Sequence, residues 1–180
     1  MIAESDTVRV LDLGVAPEVG APMPVLLSDD IRTIVMFYAV NRSSDGAGED
    51  AGIAIVEFES CALTKFGYPN DEALPGHPLY DRGLGRYGCY EVLNPTWAAE
   101  IDAMNRVSFP EYQLDPVRHF IFTFHDSTFE CLAEGLEVAV VDSTWNSVVA
   151  AVATQLIRSG ESSLLGRVVE ELATNAGGSV

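Results

Sequence analysis

The sequence predicts an α+β fold. One domain over residues 1–180 is expected, with a mostly antiparallel, curved or barrel-like sheet, one inserted helix and two C-terminal helices. Three observations predict it. Apolar and polar residues alternate across residues 118–133, as in a strand whose neighbouring side chains point to opposite faces. Thr33–Asn41 is apolar on both faces, as a strand covered on two sides must be. Helical periodicity is confined to a stretch after Asn94 and to residues beyond Thr144, so strands come first and helices are inserted or terminal.

The elements follow in order. Residues 7–13 (TVRVLDL) can form a short first strand with Val8 and Val10 on one face. Pro17, Pro22 and Pro24 make residues 15–24 read as a loop, so residues 1–24 form a partly irregular N-terminal segment. Val25, Leu26 and Leu27 are a brief apolar run stopped by Ser28-Asp29-Asp30. Residues 42–52 (RSSDGAGEDAG) read as a polar, mobile connector between Thr33–Asn41 and a second extended run at 53–60, which together form a hairpin. Residues 61–88 are irregular, and 87–93 resume a strand. Asn94-Pro95 starts a helix, with Asn as N-cap and Pro in its first position. Trp97, Ile101 and Met104 give that helix one apolar stripe, and Phe109-Pro110 ends it.

The central hairpin occupies residues 118–133 (RHFIFTFHDSTFECLA). Phe120, Phe122 and Phe124 share one face, and the other is mostly polar. A turn centred on Ser127-Thr128 sets His125 opposite Glu130 and Phe124 opposite Cys131. Residues 136–141 continue the sheet. A helix at 144–158 carries Trp145, Val148, Val149, Val152 and Leu156, with Gly160 as its stop. A last helix at 163–175 belongs to the C-terminal helix and tail, 161–180. Its apolar side packs on its own sheet in the simpler expectation, and a homodimer through the C-terminal helices is the alternative.

Composition excludes several functions. Ten basic residues face 27 acidic ones, a net charge of −17, so binding to a polyphosphate backbone or an anionic membrane surface is disfavoured. Solubility explains such a charge, and so does an acidic interaction protein that binds a basic protein partner. No apolar run approaches the ~18 residues needed to span a bilayer. The first residues lack a secretory signal, and a cytoplasmic location is expected. Cys61, Cys89 and Cys131 are too few and too irregularly spaced for a disulfide framework or zinc cluster.

Three strings together resemble the motifs of one family. FGYPNDEALPGHPLY (66–80), YGCYEV (87–92) and HFIFTFHDSTFE (119–130) are similar to motifs of a family of small bacterial proteins without an established activity. The resemblance covers residues 53–138 and implies no cofactor or catalytic residue.

Candidate chemistry therefore rests on the residues. His125 beside Glu130 is an acid/base pair, because imidazole titrates near neutral pH and a carboxylate orients it. The plainer reading is a cross-strand ion pair worth ~0.2–1 kcal/mol. His77, held between Gly76 and Pro78, is a second proton-transfer or hydrogen-bonding group, or else a tie between loop and body. Asn70, Asp71, Tyr80, Glu91, His119 and Thr123 are candidate substrate contacts. No metal site is expected, since no HExxH, paired CxxC or EF-hand spacing occurs. Residues 83–88 match GxGxxG, but a loop precedes them and a strand follows, so no helix N-terminus meets a pyrophosphate. The function expected is small-molecule binding, extending to cofactor-free acid/base catalysis of the isomerase, cyclase or hydrolase type. The hairpin's polar face would be the floor of the cleft and residues 66–80 its rim.

Overall fold

The computed structural model describes residues 6–42, 48–111, 115–157 and 163–177. Their elements, in chain order, are β1 (Thr7–Val10), β2 (Val15–Pro17), β3 (Val25–Ser28), β4 (Thr33–Asn41), β5 (Asp50–Glu59) and β6 (Leu63–Gly67). Two 3-10 turns follow, Leu74–Gly76 and Tyr80–Arg82. Then come β7 (Gly88–Leu93), α1 (Thr96–Ser108), β8 (Arg118–Thr123), β9 (Thr128–Ala133), β10 (Gly135–Val141), α2 (Trp145–Ile157) and α3 (Leu164–Gly177). The α+β class is therefore as expected. Two antiparallel sheets are present, and neither closes into a barrel, because each strand order has two ends: β1-β7-β8-β9-β6 and β10-β5-β4-β2, with β3 also on β4.

The chain divides into two compact units. The first comprises Met1–Leu13 and Ser60–Gly135 and holds the first sheet with α1. One face of its central strands carries Phe120, Phe122, Phe129 and Cys131, all fully buried. Burying each such phenylalanine contributes roughly 1.5–3 kcal/mol. On the other face Tyr90, Val92 and Ile121 pack under Leu74, Leu79 and Leu84 from the irregular stretch. That stretch is thus a roof over the sheet, with its apolar residues pointing down.

The second unit comprises Gly14–Glu59 and Leu136–Val180. Ile34, Val35, Met36 and Phe37 are all fully buried, as the two-sided apolar run of β4 predicts. Ile34, Met36, Ile53 and Ile55 form one core with Val148, Val152, Leu164, Val168 and Leu172. The apolar sides of α2 and α3 thus find partners within their own chain. At Gly52, with φ +98°, an added Cβ would lie 2.5 Å from the Val141 carbonyl oxygen, so β5 and β10 approach closely there only because the residue is glycine.

Several boundaries differ from the sequence reading. The proline-rich stretch contains β2, tolerated because it is an edge strand on β4. The irregular stretch hides β6, which pairs with β9. Helix α1 begins at Thr96 with Pro95 as its N-cap. Asn94 has φ +52° and does not cap it. Asp6 does: Oδ1 accepts the Thr96 N–H at 2.7 Å, and Oδ2 accepts the Thr96 hydroxyl at 2.9 Å. Met104 is 66% exposed, so the predicted stripe of α1 is buried only in part. The middle of the expected mobile connector, 43–47, and the Gly160 stop lie outside the described residues.

Candidate functional site

The hairpin register decides the site. Thr123 is opposite Thr128 and Ile121 opposite Glu130, with Phe124 to Ser127 forming the turn, closed by the Phe124 N–H donating to the Ser127 carbonyl at 2.8 Å. The turn is not centred on Ser127-Thr128, so His125 is not opposite Glu130 and Phe124 is not opposite Cys131. His125 leaves the strand for the turn. The face expected to carry His125 instead carries His119, Ile121 and Thr123 from β8, Glu130 and Leu132 from β9, and Lys65 from β6, directly across from Glu130.

Glu130 is the centre of that face. Its Oε2 lies 2.8 Å from Nε2 of His119, and its Oε1 lies 3.5 Å from Nε2 of His77. The Lys65 ammonium is 3.9 Å from Oε1. Burial pushes the carboxyl's pKa up, but hydrogen bonds from His119 and His77, with the charge of Lys65, outweigh it and hold Glu130 well below the usual carboxylate range. Glu130 is therefore an anion at neutral pH, and both imidazoles present Nε2–H to it. On His77, Nδ1 accepts the Leu79 N–H at 3.2 Å, so both ring nitrogens are engaged in pinning the roof to the hairpin. On His119, donation from Nε2 fixes the neutral ring with its lone pair on Nδ1. The Trp97 ring meets the His119 ring edge to face at 5.1 Å between centroids, and Lys65 Nζ stands 3.7 Å from the centre of the Trp97 ring.

These groups line a cleft of about 350 Å³, bordered by Lys65, His77, Arg82, Trp97, His119 and Glu130. Asp6, Thr96 and Glu100 extend its wall. Its floor is the hairpin and its rim includes His77, Pro78 and Leu79, as the sequence leads one to expect. Its acid/base constellation is different. His119 was expected to contact substrate and proves to be the carboxylate's closest imidazole. Lys65, Arg82 and Trp97 were missed: Lys65 lies in a strand that carries no strong alternation, and Trp97 reads as part of a core stripe.

The remaining candidates lie elsewhere. His125 belongs to a second cluster, where its Nδ1 is 2.9 Å from the Tyr87 hydroxyl and 3.2 Å from Asp71 Oδ2. Tyr87 also donates to Asp71 Oδ2. That bond, ahead of burial and the neighbouring charge, raises the Tyr87 pKa to about 12. The same bond is the main cause of the lowered Asp71 pKa, against burial and with help from His125. Asn70 Oδ1 accepts the Ala73 N–H at 3.0 Å and fixes the turn. Tyr80 packs against the apolar cluster beneath the roof. Thr123 is buried and donates to the Gly85 carbonyl at 2.9 Å. Glu91 is on the opposite face, held by Arg118 and Arg9. The Arg118 bond, opposed by burial and aided by Arg9, lowers its pKa. These residues shape the unit and do not line the cleft.

Among the described residues no group of three His, Cys, Asp or Glu side chains is arranged to hold a metal ion. Cys89 and Cys131 are buried, and burial, foremost, pushes the Cys131 thiol well up, which disfavours the thiolate. No described helix is long and apolar enough to cross a membrane. No family model, curated protein or solved structure matches the chain.

Proposed function

We propose that the cleft of the first unit binds a small polar metabolite and acts on it by proton transfer, without a cofactor. The observation that carries this reading is one ionised carboxylate, Glu130, shared by Nε2 of His119 and Nε2 of His77 at the wall of a cleft of small-molecule size. Glu130 orients His119 and stabilises its imidazolium once a proton has been taken. His119 is the base through Nδ1 and the acid on the return step. His77 is a positioning residue, because its second nitrogen is committed to Leu79. Trp97 and Arg82 supply an aromatic surface and a cation for the bound molecule.

The test is a metabolite screen by thermal shift, since a ligand that binds only the folded chain raises its apparent stability. A ligand found in this way is then added to isotope-labelled protein while the imidazole signals are recorded. The expected result is that the signals of His119 and His77 move and that of His125 does not. His119→Gln should lower turnover by ~100-fold or more, in the range of lost general acid/base catalysis, with ligand affinity largely kept. His125→Ala should leave turnover within about two-fold. Loss of turnover in His125→Ala but not in His119→Gln would reject the assignment.

A further inference from the structure

The chain contains nine arginines and a single lysine, Lys65. Where a fixed cation is needed, arginine supplies it: Arg9 and Arg118 hold Glu91, and Arg106 pairs with Asp102 at 2.6 Å. Arginine is the better ion-pair partner and does not lose its proton in proteins, whereas a lysine amine can become a nucleophile. The one lysine projects from β6 to the wall of the cleft, between Glu130 and the face of Trp97. At 3.9 Å its contact with Glu130 Oε1 is longer than a hydrogen bond. Both carboxylate oxygens already face an imidazole nitrogen. No described residue therefore anchors the amine by a hydrogen bond, and Lys65 is poised but not locked.

We propose that Lys65 is a catalytic amine which forms an imine with a small carbonyl compound, a 2-oxo acid whose carboxylate Arg82 receives. This rests on the cleft being the active site and names its substrate class. The Lys65 ammonium first passes a proton to Nδ1 of His119; the freed lone pair then forms the C–N bond, and the C=O π electrons move to oxygen. The nitrogen's two protons pass to that oxygen, His119 relaying one of them, and the C–O bond breaks to release water. Nothing is oxidised or reduced. Protonation of the imine nitrogen by the imidazolium of His119 or by water gives an iminium cation, for which the Trp97 face and the Glu130 carboxylate are suited neighbours. The iminium draws electrons from the adjacent carbon, and His119 is at hand to take that carbon's proton.

In a polypeptide of these 180 residues Lys65 is the single lysine, so the terminal α-amine serves as an internal reference. The protein is incubated with pyruvate and sodium cyanoborohydride, which delivers hydride to an iminium, and the adduct is located by peptide mass spectrometry. An ordinary lysine, with a pKa near 10.4 against about 8 for the α-amine, reacts more slowly than the terminus at neutral pH. Labelling of Lys65 at least ten-fold faster than the terminus is expected. It should be suppressed in folded His119→Gln while terminal labelling is unchanged, and the ratio of Lys65 to terminal labelling should fall with acetone, a ketone that lacks the carboxylate. Labelling of Lys65 no faster than the terminus overturns the proposal, and so does labelling that is indifferent to His119→Gln. The same pyruvate titration is followed by the imidazole signals. Movement of His119 and His77 without a Lys65 adduct overturns the imine and leaves the cleft's proton-transfer role standing. An adduct at Lys65 without movement of those signals overturns that role.

Discussion

Glu130 holds three cationic or N–H partners at once, and its charge state sets what each can do. Its pKa in the folded chain lies below the ordinary carboxyl value of 4.5 that the group has in the unfolded chain. A carboxyl depressed in this way stabilises the fold fully above the unfolded value. The contribution is lost as pH falls through 4.5 and on towards the folded pKa. Glu130→Gln removes the charge and leaves two imidazole N–H groups facing one amide, of which only the oxygen accepts. A loss of about 1–3 kcal/mol at neutral pH is expected, the cost of buried groups left poorly paired. The fall in stability between about pH 7 and about pH 3 should also be shallower than in the native chain. Urea denaturation across that range measures both. A variant that retained the native acid limb would show that the limb belongs to other carboxylates. Asp71 and Glu91, also lowered, would then be the next to change.

At the scale of elements, the irregular stretch proves to be the organising feature of the first unit. The strands β4, β5, β7, β8 and β9 are legible because alternation or two-sided apolarity fills their whole length. β6 is not, because Leu63, Thr64, Lys65 and Phe66 mix exposures and Gly67 closes the strand. Its pairing is a long-range choice made by β9. The hairpin turn lies two residues earlier than the sequence suggests, which moves the partner of Glu130 by four residues, from His125 to Ile121, for a related reason. Asp126-Ser127 marks a turn, but turn residues alone do not say whether Phe124 pairs or bends away. One consequence was that His125 displaced His119 as the expected partner of Glu130. The roof is tied down where Thr123 accepts the Gly88 N–H at 3.1 Å and donates to the Gly85 carbonyl. A Cβ on Gly88 would stand 2.6 Å from the Tyr90 hydroxyl oxygen and 2.8 Å from two ring carbons. Tyr90 is buried with Leu74, Leu79 and Ile121, so the ring has little room to retreat. Gly88→Ala should therefore cost about 1–3 kcal/mol, as overpacking does. A fully native urea midpoint would mean that the roof yields more readily than its packing implies.

At the scale of the molecule, charge acts everywhere at once. Twenty-seven acidic residues against ten basic ones leave a net charge of −17. Arg9, Arg106 and Arg118 are each already committed to a carboxylate. Most of the surplus has no cation to meet, and like charges held on a compact surface repel more than they do along an unfolded chain. Salt should therefore stabilise the fold. Raising sodium chloride from about 0.01 M to about 0.5 M shortens the screening length from ~30 Å to a few Å. An increase of about 3 °C in the thermal midpoint is then expected, since roughly 1 kcal/mol moves a chain of this length by 2–4 °C. Most of the rise should come below about 0.15 M, where screening sets in, and potassium chloride should match sodium chloride, because only ionic strength matters to repulsion. The cleft responds differently. The contacts of Glu130 with His77 and His119 are largely shielded from water, so the separation of the His119 imidazole signal from that of Glu130→Gln should hardly change across the same salt range. A midpoint indifferent to salt would mean that the acidic groups are spaced widely enough not to interact. The charge would then be a poor argument for either solubility or a basic partner. A salt-sensitive His119 signal would mean that the carboxylate at the centre of the cleft is open to the surrounding ions, and a base oriented by it would lose the water-poor setting on which its selectivity for one proton depends.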